Sequence, residues 1–219
     1  MIAYVVGKSL HAPAMDFFHY LMFHGQEVEE EPYCRAKGSF LGDDYSKQPY
    51  LVRNANEVPQ VFEPHLLVVS EEVMNRLRDM PHVAFNPVCF HKVVDFPVYR
   101  PGDFSFKQDE EFQKVLAGGK IEEFLDRLPD VPAIHGSLGR YYELVVARLR
   151  DLAPRYSVRP IKCVMPMAVG WQEEFLLSAE LLNDYPIVWS GWTVFNAEAF
   201  ARISPFLDRD YFEVAEIEV

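Results

Sequence analysis

Ser70 is the first side chain to test for chemistry, because it stands at a strand-to-helix turn in Val68-Val69-Ser70-Glu71-Glu72, where a hydrolase nucleophile sits. A nucleophile elbow is a strained turn that relies on small neighbours. This one has no glycine, and its two acids oppose an oxyanion, so Ser70 reads as a helix cap. Ser137, in Gly136-Ser137-Leu138-Gly139 just after His135, is more suggestive of a nucleophile and its base, and it too is placed to cap a helix. Cys89 and His91 lie two apart in an extended stretch and point to one face, with His82 nearby in sequence. A structural zinc needs four spaced ligands, and neither Cys-x-x-Cys nor His-Glu-x-x-His occurs, so these read as partly buried core residues.

Gly7-Lys8-Ser9 follows an apolar strand and invites a phosphate-loop reading. That loop needs a second glycine five positions earlier, where Ile2 stands, so Lys8 and Ser9 read as turn residues. Acids are paired at Glu71/Glu72, Glu110/Glu111, Glu122/Glu123 and Glu173/Glu174. Several fall in first turns of expected helices, where the helix dipole accounts for them. None has an apolar setting that would separate one pKa from its neighbour. No catalytic residue, metal or cofactor is therefore expected.

Bulk properties narrow the classes further. The 219 residues carry 33 acids against 21 bases, a formal charge of −12. Such a surface repels nucleic acid and anionic lipid and steers basic partners toward it. Aromatics make up 14%, enough to fill a core and to anchor an interface. The three cysteines, Cys34, Cys89 and Cys163, are odd in number and far apart, which fits thiols in a reducing compartment. Met1 to Val6 is too short for a leader or a membrane helix and reads as an opening strand. A cytoplasmic protein is expected.

The positioning elements centre on residues 65–85. Leu66 to Val69 suit a buried strand, Ser70 caps a helix, and Val73, Met74, Leu77 and Met80 form one helical face. Pro81 ends that helix, and a second strand starts at Val83. The same plan returns at the C-terminus: strand Trp192 to Phe195, cap Asn196, helix face Ala199, Phe200, Ile203 and Phe206, then strand Tyr211 to Val219. Val68 with Val194, Glu72 with Glu198 and Arg76 with Arg202 are the identities between the copies.

Further helices are expected over Pro13 to His24, Gln108 to Leu116 and Ile121 to Leu128. The strongest helix is expected over Leu138 to Leu152, where Leu138, Tyr141, Tyr142, Val145, Leu149 and Leu152 keep a 3.6-residue stripe. Strands are expected over Tyr50 to Arg53, Ile161 to Met165 and Glu174 to Leu177, Val88 to Val94 continues the first unit as an extended stretch, and Ile187 to Ser190 leads into the second. This mixture without strict alternation predicts an α+β fold with a mixed, largely antiparallel sheet. Asp130 to Gly139 divides the chain into halves 1–129 and 130–219, joined in one compact domain or intertwined.

Binding remains the best-supported role. Glu27, Glu29, Glu30 and Glu31 and the loop Asp43-Asp44-Tyr45 flank an aromatic, glycine-containing stretch, and charge around a tyrosine anchor suits a fast-associating protein interface. A hydrolase or transferase using His135 and Ser137 is the alternative, and a non-inhibitory structural or adaptor protein is a third reading.

Leu66-Leu67-Val68-Val69-Ser70-Glu71-Glu72-Val73, then Phe85-Asn86-Pro87-Val88, and later Trp192 to Ile203 with the terminal strand, resemble the α+β immunity proteins of bacterial polymorphic toxin systems. The likeness covers roughly residues 58–100 and 185–219. It implies a non-catalytic protein that binds and neutralises one cognate toxin, often delivered between neighbouring bacteria. It brings no binding residues with it.

Overall fold

Strand β1 (Ile2–Lys8) opens the chain, its Val5-Val6 pair suiting a pleated, buried surface. The computed structural model describes residues 1–8, 50–53, 60–62, 67–88, 92–95, 129, 139–164, 172–209 and 212–219. After β1 come β2 (Tyr50–Arg53), β3 (Val61–Phe62) and β4 (Val68–Ser70). Helix α1 (Glu71–Leu77) follows without a break, then β5 (Ala84–Val88) and β6 (Lys92–Asp95). Strands β7 (Tyr141–Val145) and β8 (Ala147–Arg148) run into the single turn α2 (Leu149–Leu152). A hairpin of β9 (Arg159–Val164) and β10 (Gln172–Leu177) leads to α3 (Ala179–Asp184). The chain ends with β11 (Ile187–Trp189), β12 (Thr193–Asn196), α4 (Ala197–Ile203) and β13 (Phe212–Glu218). The fold is α+β, with largely antiparallel sheets.

Two compact units divide the chain. One holds Met1–Leu10, Pro59–Pro87 and Tyr141–Val219; the other holds His11–Val58 and Val88–Arg140. In the second, β2 and β6 form a parallel pair, Tyr50 opposite Lys92 and Arg53 opposite Asp95. The first contains a five-stranded sheet of order β13-β1-β12-β11-β8 and a four-stranded sheet of order β3-β4-β7-β5. One face of the larger sheet presents Ala3, Val5, Val188, Val194, Ala215 and Ile217 to Phe175 and Leu177 of the β9–β10 hairpin and to Leu181 of α3. Cys163 lies buried in that core.

The repeat seen in the sequence is a repeat of geometry. In the first copy Val61 pairs with Val69 and Phe62 with Val68. In the second Ile187 pairs with Phe195 and Val188 with Val194, the same register displaced by the 126 residues that separate Arg76 from Arg202. The cap residues match as well. Ser70 N donates to Gln60 O and Asn196 N to Pro186 O, both at 2.8 Å. Ser70 Oγ accepts from Val73 N at 3.4 Å, and Asn196 Oδ1 from Ala199 N at 2.9 Å. Each cap satisfies one donor of the first helical turn, worth about 1 kcal/mol.

In each copy a strand from the other half of the chain lies between the two strands that the helix joins. β7 sits between β4 and β5, and β1 between β12 and β13. Tyr142 pairs with Val69 just as Tyr4 pairs with Phe195, so the inserted strands are equivalent too. The halves 1–129 and 130–219 thus exchange strands.

The helix expected over Leu138 to Leu152 is corrected. Residues 141–145 and 147–148 are strands, and only Leu149–Leu152 is helical. Tyr141, Glu143, Leu144 and Val146 are all buried, so the run is covered on both faces, and a two-sided apolar strand matches a helical stripe by chance. Aromatic and β-branched residues favour the strand. Lys8 also departs from expectation, lying in β1 opposite Phe212 rather than in a turn. The helices expected over Pro13 to His24, Gln108 to Leu116 and Ile121 to Leu128 fall outside the described residues.

Candidate functional site

Ser70, the serine best placed for an elbow, is engaged as a cap on both sides. Its Oγ accepts from Val73 N and donates to Gln60 Oε1 at 3.1 Å. Gly7 is needed for a close approach: a Cβ there would overlap the six-membered ring of Trp192. That explains a glycine in mid-strand without a phosphate. His82 has φ of 58° and stacks on Tyr185, ring centroids 4.2 Å apart. Among the described residues no three His, Cys, Asp or Glu side chains converge as metal ligands would. His135, Ser137, Cys89 and His91 lie outside the described residues, as do Glu27, Glu29, Glu30, Glu31, Asp43, Asp44 and Tyr45.

The larger sheet carries a different acidic surface at its β13 edge. Met1 N donates to Val219 O at 2.9 Å and Val219 N to Met1 O at 2.8 Å, a doubly bonded pair. Antiparallel pairing alternates, so Ile217, Ala215 and Glu213 bond inward to β1. The backbone groups of Glu218, Glu216 and Val214 then point away from β1, and β1 is the sheet neighbour of β13 among the described residues. Glu216 and Glu218 are exposed, opposite Tyr4 and Ile2 respectively. Ile2 is 48% exposed, and Tyr4 stacks on Phe200 of α4 with centroids 4.0 Å apart. The exposed carboxylates of β13 therefore stand beside Ile2 and Tyr4 of β1 on one face of the sheet, and among the described residues no strand pairs with the outer side of β13. The sequence signal was present: Glu216 and Glu218 alternate with Ala215 and Ile217, a polar face on an amphipathic strand.

A second polar cluster joins the two repeat helices. Arg202 Nη1 donates to Arg76 O at 3.0 Å and to Asp79 Oδ1, while Nη2 donates to Glu198 Oε1 at 2.7 Å. One guanidinium thus caps a terminal carbonyl of α1 from its partner helix. The hydrogen bond from Arg202 holds the Asp79 carboxyl below the usual carboxylate range. Asn75, Arg76, Arg78, Asp79 and Arg202 line an open groove of about 390 Å³.

Two further polar groups have structural explanations. Glu143, 1% exposed, accepts from Asn86 Nδ2 at 3.2 Å across the smaller sheet. A lone acid in the run Tyr141 to Val146 was its sequence signal. Tyr156 donates its hydroxyl to Asp184 Oδ2 at 2.9 Å, and this bond pushes its pKa up to about 12. The protonated phenol is the bonded form, so its contribution is full below the ordinary tyrosine value of about 10 and is lost as pH rises toward the folded value. Tyr156→Phe is expected to remove that alkaline loss and to diminish the late phase of tyrosinate absorbance in a pH titration, a phase it shares with Tyr141, which burial also pushes up to about 12. An identical titration in the variant would refute the assignment.

Among the described residues no helix is long and apolar enough to cross a membrane. In comparison with known proteins, no family model, no curated protein and no solved structure matches this chain.

Proposed function

We propose that this chain is a non-catalytic, cytoplasmic protein of the immunity type, which binds and neutralises a basic bacterial toxin through its acidic surface. The observation that carries the reading is the β13 edge. An extended basic segment of the toxin adds there as a further strand, its main chain meeting the outward backbone groups of Val214, Glu216 and Glu218. Its lysine or arginine side chains meet Glu216 and Glu218. The formal charge of −12 supports the reading by raising the encounter rate of a basic partner. Inhibition follows from covering the toxin's active site or the path of its substrate.

Co-expression with candidate toxins, read as growth rescue, tests this. The natural chain is expected to restore growth, and Glu216→Lys with Glu218→Lys to lose the rescue. The association rate of that variant should fall about tenfold at low salt, with a weaker salt dependence. Joint charge reversal at Glu29, Glu30, Asp43 and Asp44 is expected to act in the same direction. Unchanged on-rates in both variants would sink the acidic docking. A turnover lost with Ser137→Ala would sink the non-catalytic reading.

A further inference from the structure

A sheet edge has to be kept from pairing with the wrong strand, by a bulge, a proline, a short length or a charge. β13 has neither proline nor glycine in its seven residues, and its register with β1 runs unbroken from Phe212 to Glu218, so no bulge bends it away. The outward backbone groups of Val214, Glu216 and Glu218 thus form a regular row. One strand is always present in solution to meet that row, the β13 of a second copy. In antiparallel pairing about a two-fold axis, outward residues lie opposite one another in doubly bonded pairs. With the axis at Glu216 that residue faces itself, and with the axis at Ile217 each Glu216 faces a Glu218. Both carboxylates are exposed on the same face, so both registers set like charges directly opposite, which opposes pairing.

We infer that Glu216 and Glu218 decide which strand this edge accepts: they keep two copies of the chain apart and admit a strand with a basic residue at every second position. The inference rests on the strand addition proposed above and names the pattern of the partner's segment. Successive residues of an added strand point to opposite faces, so only residues two apart meet Glu216 and Glu218 together. Of two adjacent basic residues, one would fall on the face of Ala215 and Ile217, which are buried in the apolar core. The same pair of charges thus sets both what is refused and what is taken.

Sedimentation equilibrium of the full chain tests the refusal. Glu216→Gln with Glu218→Gln removes the charge and keeps the side-chain size, and the variant should self-associate roughly tenfold more strongly than the natural chain. Adding Val214→Pro, whose lost N–H faces away from β1, should return that variant to the monomer. Two acetylated pentapeptide amides of equal composition test the acceptance, followed by the backbone amide signals of Glu216 and Glu218. One has lysine at its second and fourth positions and valine elsewhere; the other has its two lysines adjacent. Saturation by the first is expected on the order of 1 mM, with the second about fivefold weaker. Equal self-association of the natural and Gln chains, a dimer that survives Val214→Pro, absence of saturation, or equal binding of the two peptides would each overturn the inference. Equal peptide binding would leave acidic docking standing, whereas that reading falls with the unchanged on-rates described above.

Discussion

Cut between Pro129 and Asp130, the chain is expected to give fragments whose five-stranded and four-stranded sheets form only when the two are mixed. Fragment 130–219 would lack β1, which lies between β12 and β13 and bonds to both. Ala3, Val5 and Val6 of β1 are fully buried, and each valine contributes about 2 kcal/mol of burial. Removing the strand also leaves two rows of backbone groups without partners. Fragment 1–129 would lack β7, which holds Tyr142 against Val69 and Glu143 against Val68. A domain has only about 5–15 kcal/mol of net stability, so neither loss can be absorbed. Circular dichroism should show no cooperative melt for fragment 130–219 alone and recovery of one on mixing. A sharp melt from fragment 130–219 alone would contradict the strand exchange.

Gly7→Ala carries the largest effect expected of a single methyl group. The new Cβ would occupy the position of the Trp192 ring, which packs against the main core. Trp192 follows Gly191, whose φ of 77° closes the β11–β12 turn and so sets the position of the tryptophan backbone. Overpacking of this kind costs about 1–3 kcal/mol. For a chain of this size that is roughly 2–12 °C in thermal midpoint. Combined with Trp192→Ala, the two costs should sum to less than their separate values, because the second change removes the clash. Strict additivity in a thermal-melt cycle would show that the ring does not set the requirement for glycine.

Local features were legible in residue order. Ser70 and Asn196 were readable as caps because capping couples positions three apart, and the flanking apolar runs needed only a count. The equivalence of Arg76 and Arg202 was visible, yet the junction it forms was not, since Asp79 joins Arg202 across 123 residues. The acidic edge at Glu216 and Glu218 had a strand pattern behind it, but nothing in residue order showed which strand would end the sheet.

Composition and short-range pattern determined the α+β class, the capped turns and the duplicated strand-helix-strand plan, because those depend on neighbours within one turn or one hairpin. Only tertiary structure decided that residues 141–145 extend rather than coil, that Glu143 is buried beside Asn86, and that the five-stranded and four-stranded sheets each take one inner strand from the opposite half. An apolar run covered on both faces satisfies helical and extended periods alike. Burial by distant strands, which no local pattern encodes, then selects between them.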